Sequence, residues 1–300
     1  MKKISLLTLL TIALFTITSC KKDTNNNKET STEITTEQES VTPAERQRIV
    51  SLNGAVTEII AALGHESELV GVDVTSAYPE SVKTTAKDLG HVRSLSVETI
   101  MELQPTLILG TSTDISPELA EKLEAAGIET QIYTQEISPE GTKKLIEEVA
   151  NTLHNDNYKS LQDKIDADLA KVQHLENRPK VLFIYARGAN MLMVSGTNTP
   201  VDKVITLAGA TNAVTGFEEY KPLTPEALLQ GNPDVILMFN SGVGSLGGPQ
   251  GVFKIPGVDK TNAGKNKKII IMDGALLSGF GPRLGEAAVQ LNSQLAENAK

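Results

Sequence analysis

Residues 96–109 read SVETIMELQPTLIL, and residues 224–237 read TPEALLQGNPDVIL. In each stretch a hydroxyl residue opens a helix, and a glutamate follows two positions later. A proline stands seven residues after that glutamate, where it ends the helix, and an apolar run typical of a buried strand comes next. The two stretches therefore predict the same helix-to-strand unit twice, once in each half of the chain.

Strand and helix signals alternate in the same way along the rest of the chain, which favours an α/β fold with parallel sheets. A long helical pattern covers residues 139–176, with a possible break near residues 155–157. We therefore predict two Rossmann-like lobes joined by a long rigid helix, with a ligand cleft between the lobes. The predicted first lobe spans residues 47–154, the linking helix 155–178 and the second lobe 179–300.

The N-terminus predicts export. Residues 1–19 hold two lysines, a short apolar region and small residues, and the only cysteine of the chain, Cys20, follows directly. This arrangement resembles the cleavage box of bacterial lipoproteins, which implies that Cys20 is lipidated; the alternative is an ordinary signal peptide with an incidental cysteine. The remainder of segment 20–46 is polar and predicts a flexible tether with a reach of roughly 25 to 30 Å. We expect a protein outside the cytoplasm, anchored to a membrane by lipid.

Composition and motifs exclude several classes of function. The formal net charge of −9 argues against nucleic acid as a partner. Residues 242–247 match the pattern G-x-G-x-x-G, but residues 248–251 prolong the loop instead of opening a long helix, which argues against a dinucleotide site. The chain has no Gly-x-Ser-x-Gly or His-Glu-x-x-His motif, and its histidines lack the spacing of a metal site. We expect a monomer that is not an enzyme.

Five groups of motifs between residues 47 and 295 resemble the substrate-binding proteins of bacterial ABC importers, most closely their haem-binding branch. They are Ser51–Gly54 with Thr57-Glu58, Gly71–Pro79, Lys221–Glu226, Ser245–Gly248 and Gly279–Arg283. The resemblance implies a carrier that captures ferric haem between its lobes and delivers it to a membrane permease. Cobalamin or an iron-siderophore complex in the same fold is the alternative ligand.

Tyr78 is the residue that the resemblance implies as the ligand of the haem iron. It lies in a turn-prone loop after a strand, and a phenolate oxygen suits ferric iron. The alternative is an exposed loop tyrosine without function. Some relatives have a basic residue two positions later, whereas this chain has Glu80. Arg187, Arg283 and Lys83 are therefore the candidate cations to support the phenolate.

Two arginines and two glutamates complete the predicted sites. Arg283 and Arg187 are the candidates for the haem propionates, with a surface position as the alternative for Arg283. Tyr185 could serve as a second iron ligand, but its spacing better suits a core residue at a strand end. Glu98 and Glu226 each lie near the second position of a helix, where the helix dipole alone stabilises a carboxylate. The resemblance implies that both bind arginine pockets on the permease.

Overall fold

The computed structural model describes residues 47–298, so residues 1–19, the tether 20–46 and Cys20 lie outside it. The first sheet has five parallel strands in the order β3-β2-β1-β4-β5. These strands are β1 Ile49–Ser51, β2 Leu69–Val72, β3 Lys87–Asp88, β4 Leu107–Thr111 and β5 Glu129–Tyr133.

The second sheet has six strands in the order β11-β10-β6-β7-β9, with β8 beside β6. They are β6 Lys180–Ala186, β7 Leu192–Ser195, β8 Thr211–Asn212, β9 Tyr220–Pro222, β10 Val235–Phe239 and β11 Ile269–Met272. The expectation of parallel sheets is wrong for part of this one, because β7 runs antiparallel to both β6 and β9. Only residues 187–191 join β6 to β7, and so short a connection allows an antiparallel pair but no parallel crossover.

Helices cover both faces of each sheet, and apolar side chains fill the four layers between helices and strands. We call the first sheet with α1–α5 the first lobe, and the second sheet with α7–α13 the second lobe. The predicted α/β fold with two lobes is confirmed. The helices are α1 Gly54–Ala62, α2 Val82–Thr85, α3 Val97–Met101, α4 Pro117–Ala125, α5 Pro139–Thr152, α6 Lys159–Leu169, α7 Pro200–Leu207, α8 Pro225–Gly231, α9 Asn240–Ser245, α10 Pro249–Val252, α11 Asn262–Lys265, α12 Gly274–Ser278 and α13 Leu284–Asn298.

The linking segment contains a shorter helix than the sequence predicted. Of residues 155–178, only α6 is α-helical, after a 3₁₀ turn at Asp156–Tyr158. Beyond α6, the amide of Asn292 on α13 accepts a hydrogen bond from the Gln173 backbone N–H and donates one to its carbonyl, at 3.0 and 2.8 Å. Because both backbone groups of Gln173 are bound in this way, they are not available for a helical ladder. The linking helix therefore ends early.

Helices α6 and α13 pack closely at Gly285. A Cβ atom on this glycine would lie 2.6 Å from Cβ of Asp168 and 2.9 Å from the carbonyl oxygen of Ile165. Gly285 has an ordinary helical position, so its role is close approach and not backbone freedom. The contact fixes the linking helix against the last helix of the second lobe.

The repeated sequence unit forms the same structure twice, as α3 with β4 and as α8 with β10. The hydroxyl oxygens of Ser96 and Thr224 each accept a hydrogen bond at 3.2 Å from the amide three residues later, which caps the helix. Ile100 and Leu228, at matched positions, are both fully buried. The equivalence of the two units therefore extends from sequence to packing.

Residues 242–251 are not the single prolonged loop that the sequence predicts, because they contribute to two short helices, α9 and α10. The first glycines of the G-x-G-x-x-G match lie inside the short helix α9, while Gly247 and Gly248 follow it with positive φ angles of 78° and 97°. A phosphate-binding loop of this type must come before the helix and present free backbone N–H groups to the ligand. Here the pattern is helical itself, which also argues against a dinucleotide site.

Candidate functional site

The loop that carries Tyr78 begins at the carboxyl end of β2 and is held by a buried carboxylate. Asp73 accepts hydrogen bonds from the hydroxyl and the amide of Thr75, at 2.6 and 3.0 Å, and from the Ser76 hydroxyl at 2.7 Å. Burial raises the pKa of Asp73, and these hydrogen bonds oppose the rise. The Thr75 hydroxyl also accepts a hydrogen bond from the Gly54 amide at the start of α1. The loop is therefore fixed to the helix beside it.

Tyr78 is 45% exposed, and the guanidinium of Arg283 covers one face of its ring. The Arg283 Cζ atom lies 3.6 Å from the ring centroid, within the range of a cation–π contact. Arg283 directly precedes α13 of the second lobe, whereas Tyr78 belongs to the first. The structure thus brings together two of the predicted site residues, across the boundary between the lobes.

Glu58 on α1 holds Arg283 in place. Its carboxylate accepts two hydrogen bonds, from Nε of Arg283 at 3.0 Å and from Nη2 at 2.5 Å. The side chains of Arg283 and Glu58 are only 15% and 8% exposed. Burial raises the pKa of Glu58 and outweighs the opposing effect of Arg283. Two of the guanidinium nitrogens are therefore engaged within the protein, and Arg283 is positioned under Tyr78.

A cavity of about 180 Å³ lies between the lobes next to this ion pair. Its wall combines the start of α1 and Asp114 from the first lobe with the end of α12 from the second. Two further hydrogen bonds cross the boundary, from Gln135 Nε2 to the Gly279 carbonyl at 3.0 Å and from the Thr142 hydroxyl to the Phe280 carbonyl at 3.3 Å. Polar groups of both lobes thus meet at the carboxyl ends of the strands, the usual ligand position in α/β folds.

The family model described as "Periplasmic binding protein" matches residues 49–276. The chain belongs to this family. Members of the family are substrate-binding proteins and not enzymes, which confirms that prediction, and this chain is the substrate-binding component of an ABC transporter. No helix within residues 47–298 is long and apolar enough to cross a membrane.

This binding protein is similar to several known proteins, of which three are described here. It is 38% identical to the periplasmic haem-binding protein RhuT from Roseiflexus sp. RS-1 in its apo form, over 85% of this chain and 99% of that chain, with a TM-score of 0.81. It is 28% identical to the uncharacterised ABC transporter substrate-binding lipoprotein YvrC of Bacillus subtilis strain 168, over 82% and 79% of the two chains. It is 27% identical to the vitamin B12-binding protein of Vibrio vulnificus strain YJ016, over 66% and 73%.

Arg187 and Tyr185, two further candidate residues of the binding protein, contact each other. Arg187 is exposed just after β6, and its Nε donates a hydrogen bond of 2.6 Å to the Tyr185 hydroxyl. The Tyr185 ring is half-buried and packs edge-on against Phe239, at 6.2 Å between centroids. This contact agrees with Tyr185 as a core residue at a strand end. The cation that contacts the Tyr78 ring is Arg283, and neither Arg187 nor Lys83 takes that position.

Glu98 and Glu226 are exposed near the N-termini of α3 and α8. The pKa of Glu98 is lowered, first by its own backbone amide and then by the Ser96 hydroxyl. Glu98 also borders an open groove of about 880 Å³ between α3 and α4. This groove belongs to the first lobe alone and holds neither Tyr78 nor Arg283.

Glu58 was not among the predicted site residues, although it lies in one of the motifs that carry the resemblance. The available signal was its position inside the apolar run Ala55–Leu63, where a carboxylate is costly to bury without a cationic partner. Such a residue predicts an ion pair, but not which of the chain's arginines or lysines completes it. Asp73 was also given no role, although its hydrogen-bond partners Thr75 and Ser76 are only two and three residues later in the sequence.

Proposed function

We propose that the protein captures ferric haem in the cleft between its lobes, with Tyr78 as the axial ligand of the iron, and delivers it to its permease. The observation that most supports this proposal is the exposed Tyr78 ring at the boundary between the lobes, with Arg283 against one of its faces. Tyrosine is an established axial ligand of haem iron, and a nearby cation stabilises the anionic phenolate that binds it. The similarity to RhuT, a haem-binding protein, supports this ligand over others.

The dimensions of the site favour binding in the open part of the cleft. The cavity of about 180 Å³ beside the ion pair is smaller than the roughly 300–1,000 Å³ of sites for drug-sized molecules. Haem would therefore bind in the open part of the cleft, with its iron held by the Tyr78 oxygen and with Arg283 at the Tyr78 ring. The propionates call for cations, and Arg187 keeps that proposed role because it is exposed. Arg283 also keeps its proposed propionate role, through the nitrogen that Glu58 leaves free, beside the support of the phenolate.

Titration of the purified protein with haemin tests the proposal directly. We expect a saturable Soret band together with the charge-transfer band of a tyrosinate-ligated ferric haem. Tyr78→Phe keeps the ring against Arg283 but removes the ligating oxygen, so the charge-transfer band should disappear and affinity should fall at least tenfold. An identical spectrum in this variant would exclude Tyr78 as the ligand.

The competing ligand is cobalamin, because a vitamin B12-binding protein is among the relatives. Calorimetric titration with cyanocobalamin beside haemin separates the two ligands. Micromolar or tighter binding of cyanocobalamin without binding of haemin would overturn the haem proposal, while the assignment as an ABC substrate-binding protein would stand.

Glu98 and Glu226 are proposed to dock one lobe each onto the permease. Both carboxylates are exposed on equivalent helices, as contact with two permease subunits requires. The double variant Glu98→Ala with Glu226→Ala should abolish haem uptake by cells while the haemin titration stays unchanged. Uptake at the wild-type rate would refute the docking role.

The proposed location is an extracytoplasmic membrane surface. Cys20 would carry the lipid, and residues 21–46 would act as a tether that lets the folded part reach the permease. The similarity to the lipoprotein YvrC supports the anchor.

A further inference from the structure

The repeated unit places two large apolar side chains in water at matched positions. Met101 is 41% exposed near the end of α3, and Leu229 is 47% exposed on α8. Each is the fifth residue after its helix cap, Ser96 or Thr224. The residues directly before them, Ile100 and Leu228, fill the core. Core packing thus accounts for Ile100 and Leu228 but not for the exposed apolar residue that follows each of them.

Each exposed apolar residue lies beside one of the proposed docking glutamates. Met101 follows Glu98 by three positions, and Leu229 follows Glu226 by three positions. Residues three apart on an α-helix share one face, with about 5–6 Å between Cβ atoms. Each lobe therefore presents a carboxylate and an apolar side chain as neighbours on one exposed helix face.

Topology places both faces at the same end of their sheets. A helix that leads into a parallel strand runs opposite to that strand, so α3 and α8 begin at the carboxyl edges of β4 and β10. The groove that borders Glu98 agrees, because its wall also includes Asp114 from the loop directly after β4. The cleft opens at these edges, so the two faces flank its mouth.

We propose that Met101 and Leu229 contact the permease at two equivalent positions, one on each of two equivalent subunits. Each subunit would present a cation next to an apolar pocket. The inference rests on the proposed docking of Glu98 and Glu226. A carboxylate supplies charge complementarity and orientation, whereas an apolar side chain buried next to it supplies affinity. The matched positions in the repeat favour a partner that shows the same surface twice over a partner that contacts one lobe.

The test compares Met101→Ser, Leu229→Ser and the double variant for binding to the permease complex in lipid nanodiscs. Loss of about half of a large apolar contact should weaken binding about tenfold at each position, and about a hundredfold in the double variant. Met101→Leu should bind as the wild type does, because a leucine restores the apolar contact. Ile132→Ser is the matched control, since Ile132 is 40% exposed on β5 and lies outside the repeat.

Four outcomes overturn the proposal. The first is a double variant that binds as tightly as the wild type, and the second is a double variant that loses no more affinity than Ile132→Ser. The third is weaker binding in only one of the single variants, which would indicate a one-lobe contact. The fourth is self-association of the wild-type protein through these residues in ultracentrifugation while the variants keep wild-type permease affinity, which would assign the surface to a second copy. Haemin titration of every variant keeps these outcomes separate from a failure of the proposed haem function.

Discussion

Removal of either partner of the Glu58–Arg283 ion pair should destabilise the protein, and unequally. Glu58→Ala leaves a guanidinium that is 15% exposed without its counter-ion, and an arginine cannot lose its proton at any ordinary pH. Arg283→Ala leaves a carboxylate that is 8% exposed, but burial already raises the pKa of Glu58, so this group can take up a proton. The arginine variant should therefore be less destabilised than the glutamate variant.

The magnitude follows from the burial and the bidentate geometry. Breaking a buried ion pair by removing one partner costs about 3–5 kcal/mol, and the residual exposure of Arg283 places Glu58→Ala near the lower end. We expect a loss of about 3 kcal/mol for Glu58→Ala and about 2 kcal/mol for Arg283→Ala. Because the double variant has no uncompensated charge, we expect a coupling of about 2 kcal/mol between the two positions.

Urea unfolding at pH 7, followed by far-UV circular dichroism, gives the four free energies of this double-mutant cycle. The control is the cycle for Glu118 and Lys122, whose side chains are 79% and 60% exposed and 2.7 Å apart at their charged atoms. Solvent screens that pair, so its coupling should be indistinguishable from experimental error. A Glu58–Arg283 coupling no larger than that of the control would refute the reasoning.

Three further predictions concern other parts of the chain. Asp73→Asn removes a carboxyl whose pKa is raised above 3.8 by burial in the folded protein. The wild type should therefore lose stability relative to this variant as the pH rises from 3.8 through the folded-state pKa. Urea unfolding of both proteins at several pH values measures this difference. Gly285→Ala should cost about 1–3 kcal/mol through its clash with α6, whereas Gly216→Ala, with no atom within 4 Å of the new Cβ, should leave the melting temperature unchanged. Wild type should incorporate an alkyne-labelled palmitate that Cys20→Ala does not.

Features set by neighbouring residues could be predicted from the sequence. The helix caps, the prolines and the apolar runs of the repeated unit act within a few residues, and both units form as predicted. The antiparallel direction of β7 was not predicted. It is determined by the short connection from β6, and the residues of β7 have only a weak strand pattern. The length of the linking helix was missed because Asn292, far along the chain, binds the backbone of Gln173.

The candidate site was predictable only in part. The resemblance supplied Tyr78 and Arg283, but neither pattern nor spacing shows that one covers the ring of the other. Glu58 holds Arg283 in that position, and an isolated carboxylate in an apolar helix does not identify its partner. Burial and ion pairing between distant residues are properties of the packed chain, so they had to be observed in the structure.

The Glu58–Arg283 contact also has a consequence for the order in which the protein folds. The two side chains are 225 positions apart in sequence, and α13, which follows Arg283, packs back against α6. Contacts of such long sequence separation form late, because they require closure of a large loop. Because a chain is made from its N-terminus onward, every residue of the first lobe is present before Arg283 is. Until the last part of the second lobe has been added, Tyr78 lacks the guanidinium that covers its ring in the complete fold.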